Sequence, residues 1–272
     1  IHASDLDVLA EFWSTEYVLD HLIATCPKPV VTIAHGLTLG GGMGLASHAA
    51  HRVVTETSRL GMPEVLIGLG PDIGGLWLFA NAPGHTGAYA ALTAAHLDAG
   101  DALYLGLADH FVPQAGIDGV VEQLQHRAPS EVLGRFADRP HSWVAEHRIQ
   151  IDDLFGAGSI RDIAKRAVRD TSPAADRAAA AFSAASPMAL AVTHEALNRA
   201  SAMADLAECL AQDLVVSQHC ARHHDLAEGI RARVVDKDRS PRWQPSTLDE
   251  VTDADVARFF EPVGVSLRLC GW

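Results

Sequence analysis

Apolar positions recur at steps of three and four from Leu6 to about Thr25, through Leu9, Phe12, Trp13, Tyr17 and finally Leu22, with no Pro or Gly among them. That spacing predicts an amphipathic helix, closed by Cys26-Pro27-Lys28-Pro29. The period then changes. Val30 to Ala34 is an unbroken apolar, β-branched run, which predicts a strand buried on both faces of a layered α/β structure. After His35-Gly36 and Leu37-Thr38-Leu39 come Gly40-Gly41-Gly42 and the small residues Met43 to Ala50, which predict a strand-to-helix turn and a closely packed helix. Arg52 to Thr55 reads as the next strand, and Leu60 to Glu64 as a return to a loop, with Pro63 holding Met62 extended. Gly68 to Gly75 is a second glycine-rich turn. Between Leu76 and His110 the Ala- and Leu-rich sequence predicts short helices broken at Pro83-Gly84 and Ala99-Gly100, followed by a brief strand at His110-Phe111-Val112.

Past Pro113-Gln114-Ala115-Gly116 the strand signal fades and longer amphipathic segments take over. Helices are predicted at Ile117–His126, Trp143–Phe155, Ile160–Ala167, Ala174–Ala185, Pro187–Ala200 and Asp205–Cys220, and Ser186-Pro187 is a strong helix start. A last helix begins at Thr252-Asp253-Ala254-Asp255 and reaches Phe260. The pattern divides the chain into an α/β part, residues 1–115, and a mostly helical part, residues 116–272.

Composition narrows the classes of function. With 272 residues and 48% hydrophobic content, the chain has ample material for a core. The formal charge of −13 argues against a nucleic-acid partner, which needs clustered Lys and Arg. No apolar run approaches the roughly 20 residues that span a bilayer, and the first residues lack the features of a signal peptide. A cytoplasmic protein without membrane contact is the expectation. Cys26, Cys209, Cys220 and Cys270 show no CxxC spacing and read as incidental thiols. His219, His223 and His224 are spaced for a helical metal site, but HCARHH lacks the Glu of HExxH, so no metal is expected.

The candidate chemistry sits between Val30 and Gly75. Glycines at a strand-to-helix turn let backbone N–H groups approach a ligand, and the helix start adds partial positive charge, a combination suited to a carbonyl oxygen becoming negative. A glycine triplet alone is more often a tight turn. It is not a phosphate loop, because no Lys-Ser or Lys-Thr follows. Two carboxylates on glycine-rich turns, Glu64 and Asp72, make the stretch more specific. Glu16 projects at the edge of the first helix's apolar face, where a boundary Glu with its head in water is the ordinary reading.

Three segments in order, AHGLTLGGGMGLASH, GMPEVLIGLGPDIGG and HDLAEGIRARVVDKDRSPRW, resemble the crotonase (enoyl-CoA hydratase/isomerase) superfamily, and within it the 3-hydroxyisobutyryl-CoA hydrolase branch. The resemblance implies a crotonase-like spiral of ββα units followed by a helical C-terminal region. It implies an acyl-CoA substrate, no cofactor besides the CoA carried by that substrate, and a homo-oligomer as one arrangement. It implies that Gly41 donates its N–H to the thioester oxygen, flanked by Gly40 and Gly42. Glu64 and Asp72 would then be catalytic, with Glu16 a substrate-side acid. Hydratases of the superfamily carry a second catalytic Glu where this chain has Gly44, which disfavours hydration. The superfamily also has an earlier stretch with a Cys-Ala-Gly-Gly-Asp-like loop that supplies a second oxyanion donor. This sequence starts just after its place, as an incomplete chain or a truncated member would. Thioester hydrolysis of a short branched β-hydroxyacyl-CoA is the leading expectation. Enoyl-CoA isomerisation or hydration, a non-catalytic CoA-ester binder, and an inert scaffold with buried-turn acids are the rivals.

Overall fold

Parallel strands need crossover connections of a dozen or more residues, so other elements must intervene between partners in each sheet. In the computed structural model, which describes residues 3–269 and 271–272, α1 (Ala3–Thr25) leads into β1 (Val31–Ala34) and β2 (Leu37–Leu39). Then come α2 (Gly41–Ser47), β3 (His51–Val54) and β4 (Arg59–Gly61), and a 3-10 turn over Glu64–Ile67. Two parallel layers result. β1, β3 and β5 (His110–Phe111) form one sheet in that order, with Val31 opposite His51 and Val53 opposite His110. β2 and β4 form the second, with Leu37 opposite Arg59.

Between β4 and β5 lie α3 (Gly75–Ala80), α4 (Thr86–Thr93) and α5 (Ala99–Tyr104). After β5 the described chain is helical: α6 (Ile117–Leu124), α7 (Pro129–Leu133), α8 (Trp143–Glu146), α9 (Arg148–Phe155) and α10 (Ile160–Arg169), followed by α11 (Pro173–Ala184) and α12 (Pro187–Ala200). α13 (Leu206–Arg222), α14 (His224–Ile230), a π-type turn at Arg231–Val235 and α15 (Asp253–Arg258) complete it. Ser186 caps α12 by accepting from Ala189 N–H at 3.0 Å, and Thr252 with Asp255 forms a capping box on α15. One apolar cluster runs from Trp13 and Tyr17 through Met62, Leu76 and Leu92 to Leu190, Leu210 and Leu214.

Several expectations need correction. β1 is an edge strand whose Val31, Thr32 and Ile33 are only half-buried, not a strand covered on both faces; β3 takes the central place. The inward stripe of α1 is Ala10, Trp13, Tyr17 and Asp20, whereas Phe12 is 58% exposed. Leu60 and Gly61 belong to β4 because they pair with Thr38 and Leu39 of β2, and Leu37–Leu39 is a strand too short to register as a pattern. The predicted helix Trp143–Phe155 breaks at His147, which ends α8. No strand follows β5 among the described residues.

Candidate active site

The glycine triplet turns the chain from β2 into α2. Gly40, at a φ of 53°, donates its N–H to Gly61 O at 3.1 Å, which fastens the turn to the end of β4. No side chain caps α2, so the first N–H groups of the helix keep their hydrogen-bonding capacity for something outside it. The glycines are required for space. A Cβ at Gly40 would lie 2.9 Å from Glu64 Oε1, and one at Gly41 would collide with Glu16 Oε1. Both carboxyls therefore lie directly against the turn.

Glu64 opens the 3-10 turn that follows Pro63. Its own carbonyl accepts from Leu69 N–H at 3.1 Å, with Gly68 in the left-handed region at a φ of 76°. The side chain is 6% exposed and its Oε2 has no hydrogen-bond partner. Burial first, and the neighbouring Asp72 second, push its carboxyl well above the ordinary carboxylate range.

Asp72 is held by one side-chain and one backbone hydrogen bond. Tyr17 on α1 donates its phenol to Asp72 Oδ2 at 2.7 Å, and Ser217 Oγ on α13 lies 3.0 Å from the same phenol oxygen. Gly75 N–H closes the backbone turn onto Asp72 O at 2.7 Å. Burial outweighs the Tyr17 hydrogen bond and lifts Asp72 to about 7. The turn itself is propped by two further groups: His48 Nε2 donates to Ile73 O at 2.7 Å, and Gly74 N–H donates to Asp213 Oδ2 at 2.8 Å. Ile73 and Gly74 both have positive φ, 54° and 69°. Asp213 is buried and raised as well, by desolvation first.

Glu16 is half-buried, with its carboxyl raised by desolvation. It acts electrostatically on both Glu64 and Asp72. The structure thus brings Glu16, Gly40, Gly41, Gly42, Glu64 and Asp72 into one place. Sequence reasoning missed Tyr17, Asp20, Asp213, Ser217 and His48 there. Tyr17 reads as one more apolar position of α1, and nothing in the spacing of Asp213 or Ser217 signals a partner more than a hundred residues away.

The late segment around Asp225 serves as a support. Asp225, 1% exposed, accepts from Ser186 Oγ at 2.5 Å and from Gln244 N–H at 2.8 Å. A Cβ at Gly68 would meet the Asp225 backbone, and one at Gly229 would meet the Ile67 backbone, so α14 packs directly on the turn that carries Glu64. The histidines with metal-like spacing are occupied otherwise. His219 Nε2 donates to Glu261 O at 2.9 Å, His224 Nε2 donates to Arg242 O at 3.0 Å, and His223 precedes α14 and accepts from Asp225 N–H. No group of three or more potential metal ligands is present among the described residues. No described helix is long and apolar enough to cross a membrane. Cys26, Cys209 and Cys220 are free thiols, and Cys270 lies outside the described residues.

Short ββα units with a glycine turn between facing acids define a crotonase-type α/β protein, and the chain belongs to the enoyl-CoA hydratase/isomerase family, whose sequence model matches residues 2–260. It is 36% identical to the 3-hydroxyisobutyryl-CoA hydrolase, mitochondrial, of Gallus gallus, over 93% of this chain and 69% of that protein. The Homo sapiens protein of the same name is also 36% identical, over 94% and 69%. Among solved structures, one described as a carnitinyl-CoA dehydratase from Mycobacterium thermoresistibile is 40% identical with a TM-score of 0.91, over 96% of this chain and 76% of that one. An enoyl-CoA hydratase from Rhodobacter sphaeroides is 38% identical with a TM-score of 0.92, over 98% and 78%. Members of the family act on acyl-CoA substrates.

Proposed function

We propose that the protein hydrolyses the thioester of a short, branched β-hydroxyacyl-CoA, of the 3-hydroxyisobutyryl-CoA kind used in valine breakdown. The observation that carries this reading is the buried acid Glu64 against the uncapped start of α2. It is supported by the names of the curated relatives. In this reading Gly41 N–H receives the thioester oxygen as it becomes negative; one such donor is worth about 2.7–4 kcal/mol of barrier. Glu64 then works at the carbonyl carbon. As a nucleophile it forms a mixed anhydride and expels the CoA thiolate, which takes up a proton before water cleaves the anhydride. As a base it takes a proton from the attacking water instead. Asp72 and Glu16 hold the substrate hydroxyl or that water, and Gly40 and Gly42 leave room for the acyl group.

A second reading, hydration or isomerisation of an enoyl-CoA, is favoured by the descriptions of the two similar solved structures. Gly44 weighs against it, because no side chain projects there from α2 to act as a second acid. The two separate in one experiment. A panel of branched and straight 3-hydroxyacyl-CoAs should release free thiol, fastest with the short branched member. A change in enoyl absorbance without thiol release would replace the hydrolase reading with the second one.

A further inference from the structure

α1 carries a further acid, one turn beyond Glu16. Asp20 is fully shielded from solvent, and among the described residues neither of its carboxyl oxygens meets a hydrogen-bonding group. A Cβ at Gly44 would stand 2.5 Å from Asp20 Oδ1 and 2.9 Å from Oδ2, so α2 has glycine where this carboxyl lodges. The titratable groups acting on it are acidic: Glu16 on its own helix and Asp72 in the turn before α3, while Asp213 on α13 feels its charge in return. From α2, Gly44 faces this carboxyl.

An ionised carboxylate in this position would give up its hydration for no donor and would face like charges, whereas the neutral acid costs far less. We propose that Asp20 is a positioning residue of the site: a carboxylic acid held neutral against Gly44, so that the negative charge of the cluster settles on Glu16. Burial first, then Glu16 and Asp72, lift the Asp20 carboxyl to about 8, in the direction this requires. Once Asp20 ionises, its charge one helical turn from Glu16 adds to the negative potential of the cluster and opposes the charge that develops on the thioester oxygen. The kinetic consequence rests on the hydrolase reading, whereas the neutrality of Asp20 does not.

The test compares the wild type with Asp20→Asn in two measurements. In thioester turnover against pH, the wild-type rate should fall above about pH 8, and the variant should hold its rate there and exceed the wild type several-fold. Thermal unfolding reads the ionisation itself. A carboxyl raised in the folded state contributes stability that is complete below the ordinary carboxyl range and lost as pH rises through about 8. The melting temperature of Asp20→Asn should therefore gain on the wild type as pH rises. A constant gap, or the same alkaline fall in both proteins, overturns the proposal. Should Asp20→Asn not fold, Gly44→Ala drives a methyl into the same carboxyl and should move the alkaline fall; an unmoved fall overturns the proposal equally. If the wild type releases no thiol from any ester, the hydrolase reading fails by itself, and the unfolding comparison still decides whether Asp20 is neutral.

Discussion

Acids cluster twice in this molecule, and the two clusters have opposite physics. Around the glycine turn, Glu64, Asp72, Asp20 and Asp213 are buried among one another, and each is pushed upward chiefly by desolvation. At the end of α14 and just beyond it, Glu228, Asp236 and Asp238 converge on one guanidinium: Arg231 donates to them at 2.7 to 2.9 Å. There the Arg231 hydrogen bonds hold Glu228 down at about 2. The first cluster weakens the fold as pH rises through the range of Asp72 and Asp20, about 7 to 8. The second contributes its stability above the ordinary carboxylate range and loses it as pH falls toward about 2. Paired acids on the surface hold a loop in shape, whereas unpaired acids in the interior are costly to keep and fit a role in chemistry. The same short helix, α14, joins the two, with Gly229 against the Glu64 turn and Glu228 on Arg231.

That junction is where the contrast can be pressed hardest. Gly229→Ala places a methyl against the Ile67 backbone, where neither side can yield without moving the turn. Overpacking of this kind costs about 1–3 kcal/mol, so urea unfolding should show a lowered midpoint, and thioester turnover should fall with it as Glu64 shifts. Normal turnover in a destabilised variant would detach α14 from the site. Arg231→Ala should have the smaller effect. Asp236 and Asp238 are solvent-facing and screened while Glu228 is more sheltered, so a slightly lower melting temperature, reduced in part by high salt, with unchanged turnover is expected. A loss of turnover would show that the surface network reaches the site.

Much of the site is legible in the chain because local rules govern it. Gly40–Gly42, Glu64 and Asp72 lie on turns whose conformation their neighbours impose, as Pro63 does for Met62 and Glu64. The helices from Ile160 to Arg222 follow their apolar spacing and their Ser and Asp caps closely. What escapes is set by tertiary contact. Asp20 looks like an ordinary polar position until α2 is seen to bring Gly44 against it. Tyr17 gains its role only through Asp72 and Ser217, 55 and 200 positions away. Likewise β1 has the composition of a central strand, yet β3 occupies the middle of the sheet because both β1 and β5 pair with it.

In the proposed mechanism Glu64, buried against the glycine turn, carries the chemistry. Replacing it by Gln keeps the side chain's size and removes its ability to attack or to take a proton, which for a general base is typically worth about 10²–10⁴ in rate. Free-thiol release and equilibrium binding of a 3-hydroxyacyl-CoA, measured on the same Glu64→Gln preparation, test this directly. If Glu64 does the chemistry, thiol release is lost while binding persists; turnover at the wild-type rate would rule that role out.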